Sequence, residues 1–266
     1  MADVVEKRPG AEIVSPPLAR HQAVQSRRFA MVLLLVMVLF AGMLGFFAYL
    51  MSRSDHSDAA WSSYKPPAQK GEGQTFERAQ ALADYVAPRY LVNGEPLAVV
   101  QAQPPIYKQS DVAGIAFMQR PNQDIGSAYR QFEEADNSML YVFCGPAAGC
   151  SLPAGGEDVA PLLQRQSLEL ALYTFKYWPE INSVVAFLPP TKTEKFALLF
   201  RRNKLKRQLA RPLESTLPNR DAITTSSMTA EELSTVEALT ENNIYLSSFQ
   251  ETPNGQTLLL LGSGSR

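Results

Sequence analysis

Residues Phe29–Met51 read FAMVLLLVMVLFAGMLGFFAYLM and contain no charged side chain. At a rise of about 1.5 Å per residue, a helix of this length crosses the hydrocarbon core of a bilayer, which is about 30 Å thick. A helix also satisfies its own backbone hydrogen bonds, as any segment surrounded by lipid must. The stretch predicts a single transmembrane helix with the rest of the chain divided between the two sides of a membrane.

The apolar segment is typical of a retained signal anchor rather than of a cleaved signal peptide. Signal peptides carry an apolar run of about 7–15 residues and then a cleavage site made of small residues. Here the run is longer, and the residues FFAYLMS at its end offer no such site. Within the run, Ala41 and Gly45 form a small-xxx-small pair, a spacing that lets two helices approach closely in lipid and makes a homodimer possible.

The basic residues near the span favour a cytoplasmic N-terminus. Five of them precede the span: Lys7, Arg8, Arg20, Arg27 and Arg28. Three follow it at short distance and partly balance this bias: Arg53, Lys65 and Lys70. We expect a single-pass protein of the cell membrane with its large C-terminal domain outside.

The chain after the span predicts a tether followed by one domain. Residues 1–28 have few large apolar groups and are expected to form a cytoplasmic tail. Residues 52–75 contain Pro66-Pro67 and a Gly-Glu-Gly sequence, which predict a flexible tether. Its Trp61 and Tyr64 are expected at the membrane–water boundary, where amphipathic aromatic rings are favoured. Residues 76–262 are long enough to bury a sizeable core.

The domain alternates helical and strand-like patterns, which indicates an α+β fold with a mixed sheet. The clearest helix runs from about Pro161 to Tyr177, because apolar residues recur on one of its faces at helical spacing. Thr229 and Glu232 form a capping box before another helix. Near the end, Asn254-Gly255 lies between two apolar runs, Ile244–Glu251 and Gln256–Leu261, which indicates a β-hairpin.

Four stretches of this domain resemble an uncharacterised family of bacterial single-pass membrane proteins. They are RQSLELALYTFKY (165–177), VVAFLPP (184–190), LLFRRNKLKRQLARPLESTLP (198–218) and SSFQETPNGQTLLLL (247–261). The positions of Cys144 and Cys150 match that family as well, and the similarity covers roughly the domain after residue 90. The resemblance implies a bacterial envelope protein and brings no catalytic residue with it.

The composition argues against several kinds of chemistry. The two histidines, His21 and His56, lie in the tail and the tether. The domain therefore lacks the residue needed for Ser-His-Asp or Cys-His catalysis and for histidine-containing zinc sites. No phosphate-binding glycine loop or G-x-S-x-G motif occurs, so we expect no metal and no cofactor. The adjacent acids Glu133-Glu134 and Glu157-Asp158 diverge on a strand or helix and do not form a poised acid–base pair.

Cys144 and Cys150 enclose the sequence Gly-Pro-Ala-Ala-Gly. Such a small, turn-forming loop allows the two Cα atoms to approach to about 4.4–6.8 Å, as a disulfide requires. An oxidising compartment outside the membrane favours this bond. Two unlinked buried thiols or a redox pair remain alternatives, although redox pairs usually have the C-x-x-C spacing.

The densest group of cations is Arg201, Arg202, Lys204, Lys206, Arg207 and Arg211. Either it is the solvated face of a short helix whose Leu205 and Leu209 point inward, or it contacts an anionic surface or an acidic partner. Nucleic acid is not expected, because no aromatic residue is interleaved for base stacking and the net charge of the chain is −1.

These observations favour a non-catalytic protein anchored in the bilayer through residues 29–51, with a domain that binds or scaffolds a protein or an envelope polymer. The alternative is an envelope enzyme that uses carboxylate or lysine chemistry. A cleft with two converging carboxylates would favour the enzyme, and an apolar or basic surface would favour the binding protein.

Overall fold

The computed structural model describes residues 31–40, 42–43, 61–68, 75–118, 129–152, 158–190 and 194–263. The chain divides into two units, Met1–Ser57 and Asp58–Arg266. In the first unit, residues 31–40 and 42–43 are helical and exposed. The rest of the predicted span lies outside the described residues, and so do Ala41 and Gly45. None of the helices in the described ranges is both long enough and apolar enough to cross a membrane.

The second unit is α+β, as predicted. Its α-helices are α1 (Thr75–Val86), α2 (Ala160–Tyr177), α3 (Lys206–Leu209) and α4 (Ala230–Thr240). Its strands are β1 (Leu91–Val92), β2 (Glu95–Pro96), β3 (Val99–Gln103), β4 (Ile106–Tyr107), β5 (Ser110–Met118), β6 (Tyr129–Glu134), β7 (Ser138–Cys144), β8 (Ser183–Phe187), β9 (Phe196–Arg201), β10 (Ile244–Glu251) and β11 (Thr257–Ser263). Short 3₁₀ turns occupy Ala87–Arg89, Ala148–Cys150, Arg202–Lys204, Leu213–Ser215, Thr225–Ser227 and Glu241–Asn243.

Helix α2 is the central helix, and its start and buried face agree with the sequence. Pro161 lies in the first turn, where its missing N–H costs nothing. The backbone N–H of Ala160 donates to Asp158 Oδ1 at 3.1 Å, so this aspartate satisfies one of the free amides at the helix start. The residues of the predicted apolar face are all buried: Leu168, Ala171, Leu172 and Phe175.

Among the described residues, the main sheet has nine strands in the order β3-β7-β8-β9-β10-β11-β5-β4, and β6 also pairs with β5. The pairs β7–β8 and β11–β5 are parallel. The other pairs are antiparallel, so the predicted mixed sheet is confirmed. Helix α2 connects β7 to β8, which makes these three elements a βαβ unit. Strands β1 and β2 form a separate two-stranded hairpin.

The sheet is strongly curled. Strands β3 and β4 lie at opposite ends of the strand order, yet only Pro104 and Pro105 separate them in the chain. Side chains also meet across the sheet: the rings of Tyr107 and Phe249 stack with centroids 4.0 Å apart. The Arg201 guanidinium lies 4.7 Å from the ring of Phe117, three strands away in the order. One face of the sheet is therefore concave.

Alternation along each strand divides the apolar residues between two cores. On β7, Met139, Tyr141 and Phe143 face the helices and join the larger core. Leu140 of the same strand belongs to a second core on the concave face. Its buried members are Val112, Ile115, Ala135, Leu140, Val185, Ala197, Leu199, Leu259 and Leu261. All of these except Ala135 lie on strands, so the curl of the sheet itself covers this second core.

Trp61 and Tyr64 belong to the larger core. The backbone N–H of Leu213 donates to the Trp61 carbonyl at 2.8 Å. The Trp61 ring lies 5.6 Å from that of Tyr173, and the Tyr64 ring lies 4.6 Å from that of Tyr85. The expectation that both rings rest at a membrane boundary is wrong, because the sequence does not reveal the aromatic surface of α1 and α2 that buries them.

The predicted hairpin joins β10 to β11. The Gly255 N–H donates to the Thr252 carbonyl at 2.9 Å, and the Thr252 N–H donates to the Gln256 carbonyl at 2.8 Å. Gly255 has φ 76°, a left-handed conformation that glycine adopts without steric cost. The Pro-Asn-Gly sequence therefore forms a three-residue hairpin loop, in which the glycine has the left-handed conformation that the bulge requires.

Candidate functional site: an apolar cavity on the concave face

The concave face of the sheet contains a cavity of about 690 Å³. This volume lies within the range of roughly 300–1,000 Å³ that is typical of small-molecule sites. Most of the lining residues are apolar or aromatic, and they come from β4, β7, β8, β9, β10 and the loop after β8: Ile106, Tyr107, Leu140, Val142, Phe143, Phe187, Leu188, Pro190, Phe196 and Phe249. Because these residues come from many strands, the cavity exists only because the sheet is curled.

Aromatic rings form one wall of the cavity. The Phe249 ring is stacked on Tyr107, and its centroid lies 5.6 Å from that of Phe187. These three residues come from β10, β4 and β8, which the curl brings together. Rings held by one another lose little freedom when a ligand binds, so the wall is preorganised for apolar contacts.

Few polar groups line the cavity. They are Gln103, Lys195, Ser247 and Ser248, together with Cys150 at the rim. The Ser247 hydroxyl donates to the Lys195 carbonyl at 3.2 Å, and the Ser247 N–H donates to the same oxygen at 2.8 Å. These bonds hold the Lys195 backbone against β10. Lys195 is the one acidic or basic residue in the described lining.

The Cys144–Cys150 disulfide predicted from the sequence is present, with the two Cα atoms 4.3 Å apart. The loop inside it is tight, because the Gly145 N–H donates to the Cys150 carbonyl at 2.9 Å. A Cβ atom at Gly145 would lie 2.3 Å from the Ser151 carbonyl oxygen, so a side chain there would force the backbone apart. Since Cys150 lines the cavity, the disulfide fixes part of its rim.

The six predicted cations separate into two groups. Arg201 pairs with Glu133 at 2.7 Å. Arg202 binds the carbonyls of Phe175, Trp178 and Ile181, the last two at 2.5 and 2.8 Å. Both arginines are therefore used inside the fold, and Arg202 satisfies carbonyls at the end of α2. Burial lowers the pKa of Arg202.

The other four cations are exposed: Lys204, Lys206, Arg207 and Arg211. Leu205 between them is buried, with 3% of its surface accessible, and Leu209 packs against the same core. The predicted inward direction of these two leucines is confirmed. The short helix expected here covers Lys206–Leu209, and a 3₁₀ turn at Arg202–Lys204 precedes it.

A second, polar cleft of about 520 Å³ lies at the other end of the concave face. It is lined by Glu133, Glu134, Asn137, Asn182, Ser183, Arg201, Arg202, Asn203 and Lys206. Glu133 is bound to Arg201, and Glu134 is its neighbour on β6, where successive side chains point to opposite faces. The two acids are not arranged as an acid–base couple. No group of three or more His, Cys, Asp and Glu side chains within the described ranges is placed to hold a metal ion.

A network of buried charges lies on the helix side. Arg165 of α2 is 1% exposed and donates to Glu232 Oε1 at 2.6 Å, to the Tyr90 hydroxyl at 2.5 Å and to Glu169 Oε2 at 3.2 Å. It also donates to the Pro218 carbonyl at 2.7 Å. One arginine thus joins α2, α4 and the segments that carry Tyr90 and Pro218.

The partners of Arg165 are themselves bonded. Arg89 pairs with Glu169, and Arg220 pairs with Glu232 at 2.6 Å. The Tyr90 hydroxyl donates to Glu169 Oε2 at 2.5 Å. Burial, followed by the negative charge of Glu169, raises the pKa of Tyr90 well above its ordinary value. Since this network is enclosed and its carboxylates are satisfied, we assign it to stability and not to ligand binding.

No family model, curated protein or solved structure matches this chain. The resemblance to bacterial single-pass membrane proteins therefore stays a prediction.

The cavity residues were not found by sequence reasoning. The run Ile244–Glu251 was recognisable as a strand, and the alternation of Tyr245, Ser247 and Phe249 gives its concave side. The missing information is the pairing of β11 with β5, a contact between segments far apart in the chain. Without that pairing, nothing indicates that Tyr107 and Phe249 share a wall.

Proposed function

We propose that this chain is a membrane-anchored envelope protein whose outer domain binds an apolar small molecule without converting it chemically. The observation that carries the binding role is the cavity of about 690 Å³ with its aromatic wall. Cavities of this size and composition are the default location of ligands in protein structures. The described lining contains no pair of groups arranged for acid–base or nucleophilic chemistry, which supports binding over catalysis.

The anchor and the location are parts of the same proposal. The uncharged run Phe29–Met51 would hold the protein in the cell membrane, and the arginines before it would keep the N-terminus in the cytoplasm. The disulfide is consistent with an oxidising compartment for the domain. Protease added outside intact cells should degrade the domain; survival until the membrane is permeabilised would contradict this orientation.

The four exposed cations, Lys204, Lys206, Arg207 and Arg211, supply a second contact in this proposal. They would hold the domain against an anionic lipid surface, an envelope polymer or an acidic protein. They are separate from the cavity, since none of the four lines it.

Photolabelling tests the binding role on the full chain in lipid nanodiscs. The probe is a dodecanol that carries a diazirine near the end of its alkyl chain, and labelled peptides are located by mass spectrometry. We expect saturable labelling of β7 and β10, the strands that carry Val142 and Phe249. Val142→Trp and Ser247→Trp place a large ring in the cavity from two different strands, and either should abolish this labelling.

Thermal unfolding shows which of the two variants, Val142→Trp or Ser247→Trp, keeps its fold. The labelling of that folded variant decides the test. Labelling that does not saturate, or that is unchanged in a folded occluded variant, would refute the proposed function.

A further inference from the structure

We propose that the occupant of the cavity is a single-chain amphiphile with an anionic head group, with its tail against the aromatic wall and its head at Lys195. This inference rests on the proposed function and names the class of ligand. Its basis is the distribution of charge around the cavity. Ten of the lining residues are apolar or aromatic, and Lys195 is the only charged one in the described part of the chain.

The position of Lys195 suits a head group at the mouth of the cavity. Lys195 is exposed and directly precedes β9, while its neighbour Phe196 lines the apolar part. The bonds from Ser247 to its carbonyl fix its backbone. Its ammonium has no ion pair with any described residue, so it remains available to an anion. An ammonium beside an apolar cavity favours a ligand that combines an anion with a hydrocarbon chain.

A second polar side chain at the cavity supports a head group that accepts hydrogen bonds. The half-buried Gln103 lines the cavity from the end of β3, and no described residue bonds to its side-chain amide. This amide can donate to a carboxylate, whereas a purely apolar ligand would leave it without a partner.

The volume limits the size of the occupant. A cavity of about 690 Å³ corresponds to one drug-sized molecule. One alkyl chain with a small head fits this description better than a membrane lipid with two chains. Acidic residues, which would repel such a head group, are absent from the described lining.

The experiment compares three diazirine probes that differ only in the head group: dodecanoate, dodecanol and dodecylamine. Each is titrated below its micelle concentration onto the full chain in nanodiscs at pH 7.5, and the half-saturating concentration for labelling β7 and β10 is measured. The variants are Lys195→Gln and the matched control Lys108→Gln. Lys108 lies beside the cavity, with its ammonium 5.3 Å from the Tyr107 ring, but does not line it.

We expect dodecanoate to saturate at a concentration about two- to fivefold lower than dodecanol, the effect of one solvent-exposed ion pair. Lys195→Gln should remove this preference and leave dodecanol unchanged, while Lys108→Gln should keep the preference. Equal saturation by all three probes, or preference for the amine, would overturn the anionic ligand but leave the apolar binding role. A preference that survives in Lys195→Gln would overturn the role of Lys195. Failure of every probe to saturate would overturn the proposed function as well.

Discussion

The buried network around Arg165 provides a quantitative test of the fold. In Arg165→Met the aliphatic stem is kept and the guanidinium is lost. Glu169 then keeps Arg89 and Tyr90, and Glu232 keeps Arg220, but the ion pairs that Arg165 makes with both acids and its bond to the Pro218 carbonyl disappear. Removing one partner of a buried ion pair typically costs about 3–5 kcal/mol. Here both carboxylates stay buried with one cation fewer, and the Pro218 carbonyl loses its donor.

This cost is large enough to measure by thermal unfolding. For a domain of about 150–250 residues, 1 kcal/mol corresponds to roughly 2–4 °C in Tm, so Arg165→Met should lower Tm by about 6–20 °C. Tryptophan fluorescence reports this transition well, since the chain has two tryptophans, Trp61 and Trp178, and both are buried in the helix-side core. Arg207→Met is the matched control, because Arg207 is exposed and its loss should change stability by less than about 0.5 kcal/mol.

A double-mutant cycle separates the network from a general packing effect. When Glu232→Met is added to Arg165→Met, the buried carboxylate that lost one of its two arginine partners is also removed. The two changes together should cost less than the sum of the single changes, by a coupling of about 1–3 kcal/mol. A Tm for Arg165→Met equal to that of Arg207→Met, or strict additivity in the cycle, would refute the arrangement described around Arg165.

Three further predictions concern other parts of the domain. Replacing Cys144 and Cys150 by serine should lower the free energy of unfolding by about 2 kcal/mol, because the closed loop is short; two reactive thiols in the denatured, unreduced protein would contradict the bond. Burial raises the pKa of Tyr141, so above pH 10 only the unfolded chain releases its phenol proton. The contribution of Tyr141 to the free energy of unfolding should therefore be constant below pH 10 and fall above it by about 1.4 kcal/mol per pH unit. The free energy of unfolding of Tyr141→Phe should fall less steeply above pH 10, and an equal slope would speak against this burial. Lys204→Glu combined with Lys206→Glu should abolish co-sedimentation of the soluble domain, prepared without the apolar run Phe29–Met51, with anionic vesicles, and high salt should weaken it for the unmutated domain; equal recovery of both domains would return these lysines to a role in solubility.

Local patterns in the sequence were sufficient for much of the fold. Helix α2 was predicted because its apolar residues repeat at helical spacing and prolines lie at both ends. The last hairpin was predicted because Asn254-Gly255 separates two strand-like runs. Both signals lie within a few residues, and neither depends on distant parts of the chain.

Features that depend on distant contacts were missed or only partly predicted. Glu232 was predicted to cap α4, and its backbone N–H does donate to the Thr229 hydroxyl at 3.2 Å. Its carboxylate instead joins Arg165 and Arg220, which the capping pattern does not indicate. Nor does the sequence indicate that Arg202 binds the end of α2.

The cavity is the clearest case of this limit. Its aromatic wall needs the curl that brings β4 opposite β8 and β10, and this curl depends on the parallel pairing of β11 with β5. Strand periodicity assigns a side chain to one face of a sheet, but it contains no information on how far the sheet bends. In the sequence, Lys195 at the mouth of the cavity likewise looks like any other surface lysine.

The most direct test of the binding role is methyl NMR of the full chain in nanodiscs, with dodecanoate added below its micelle concentration. The proposed cavity predicts saturable shifts of the methyl groups of Ile106, Leu140 and Val142, which line it. The methyl groups of Leu82 and Val236, which lie in the core on the helix side, should stay unchanged. Unchanged Ile106, Leu140 and Val142 signals, or equal shifts on both sides of the sheet, would contradict a ligand site on the concave face.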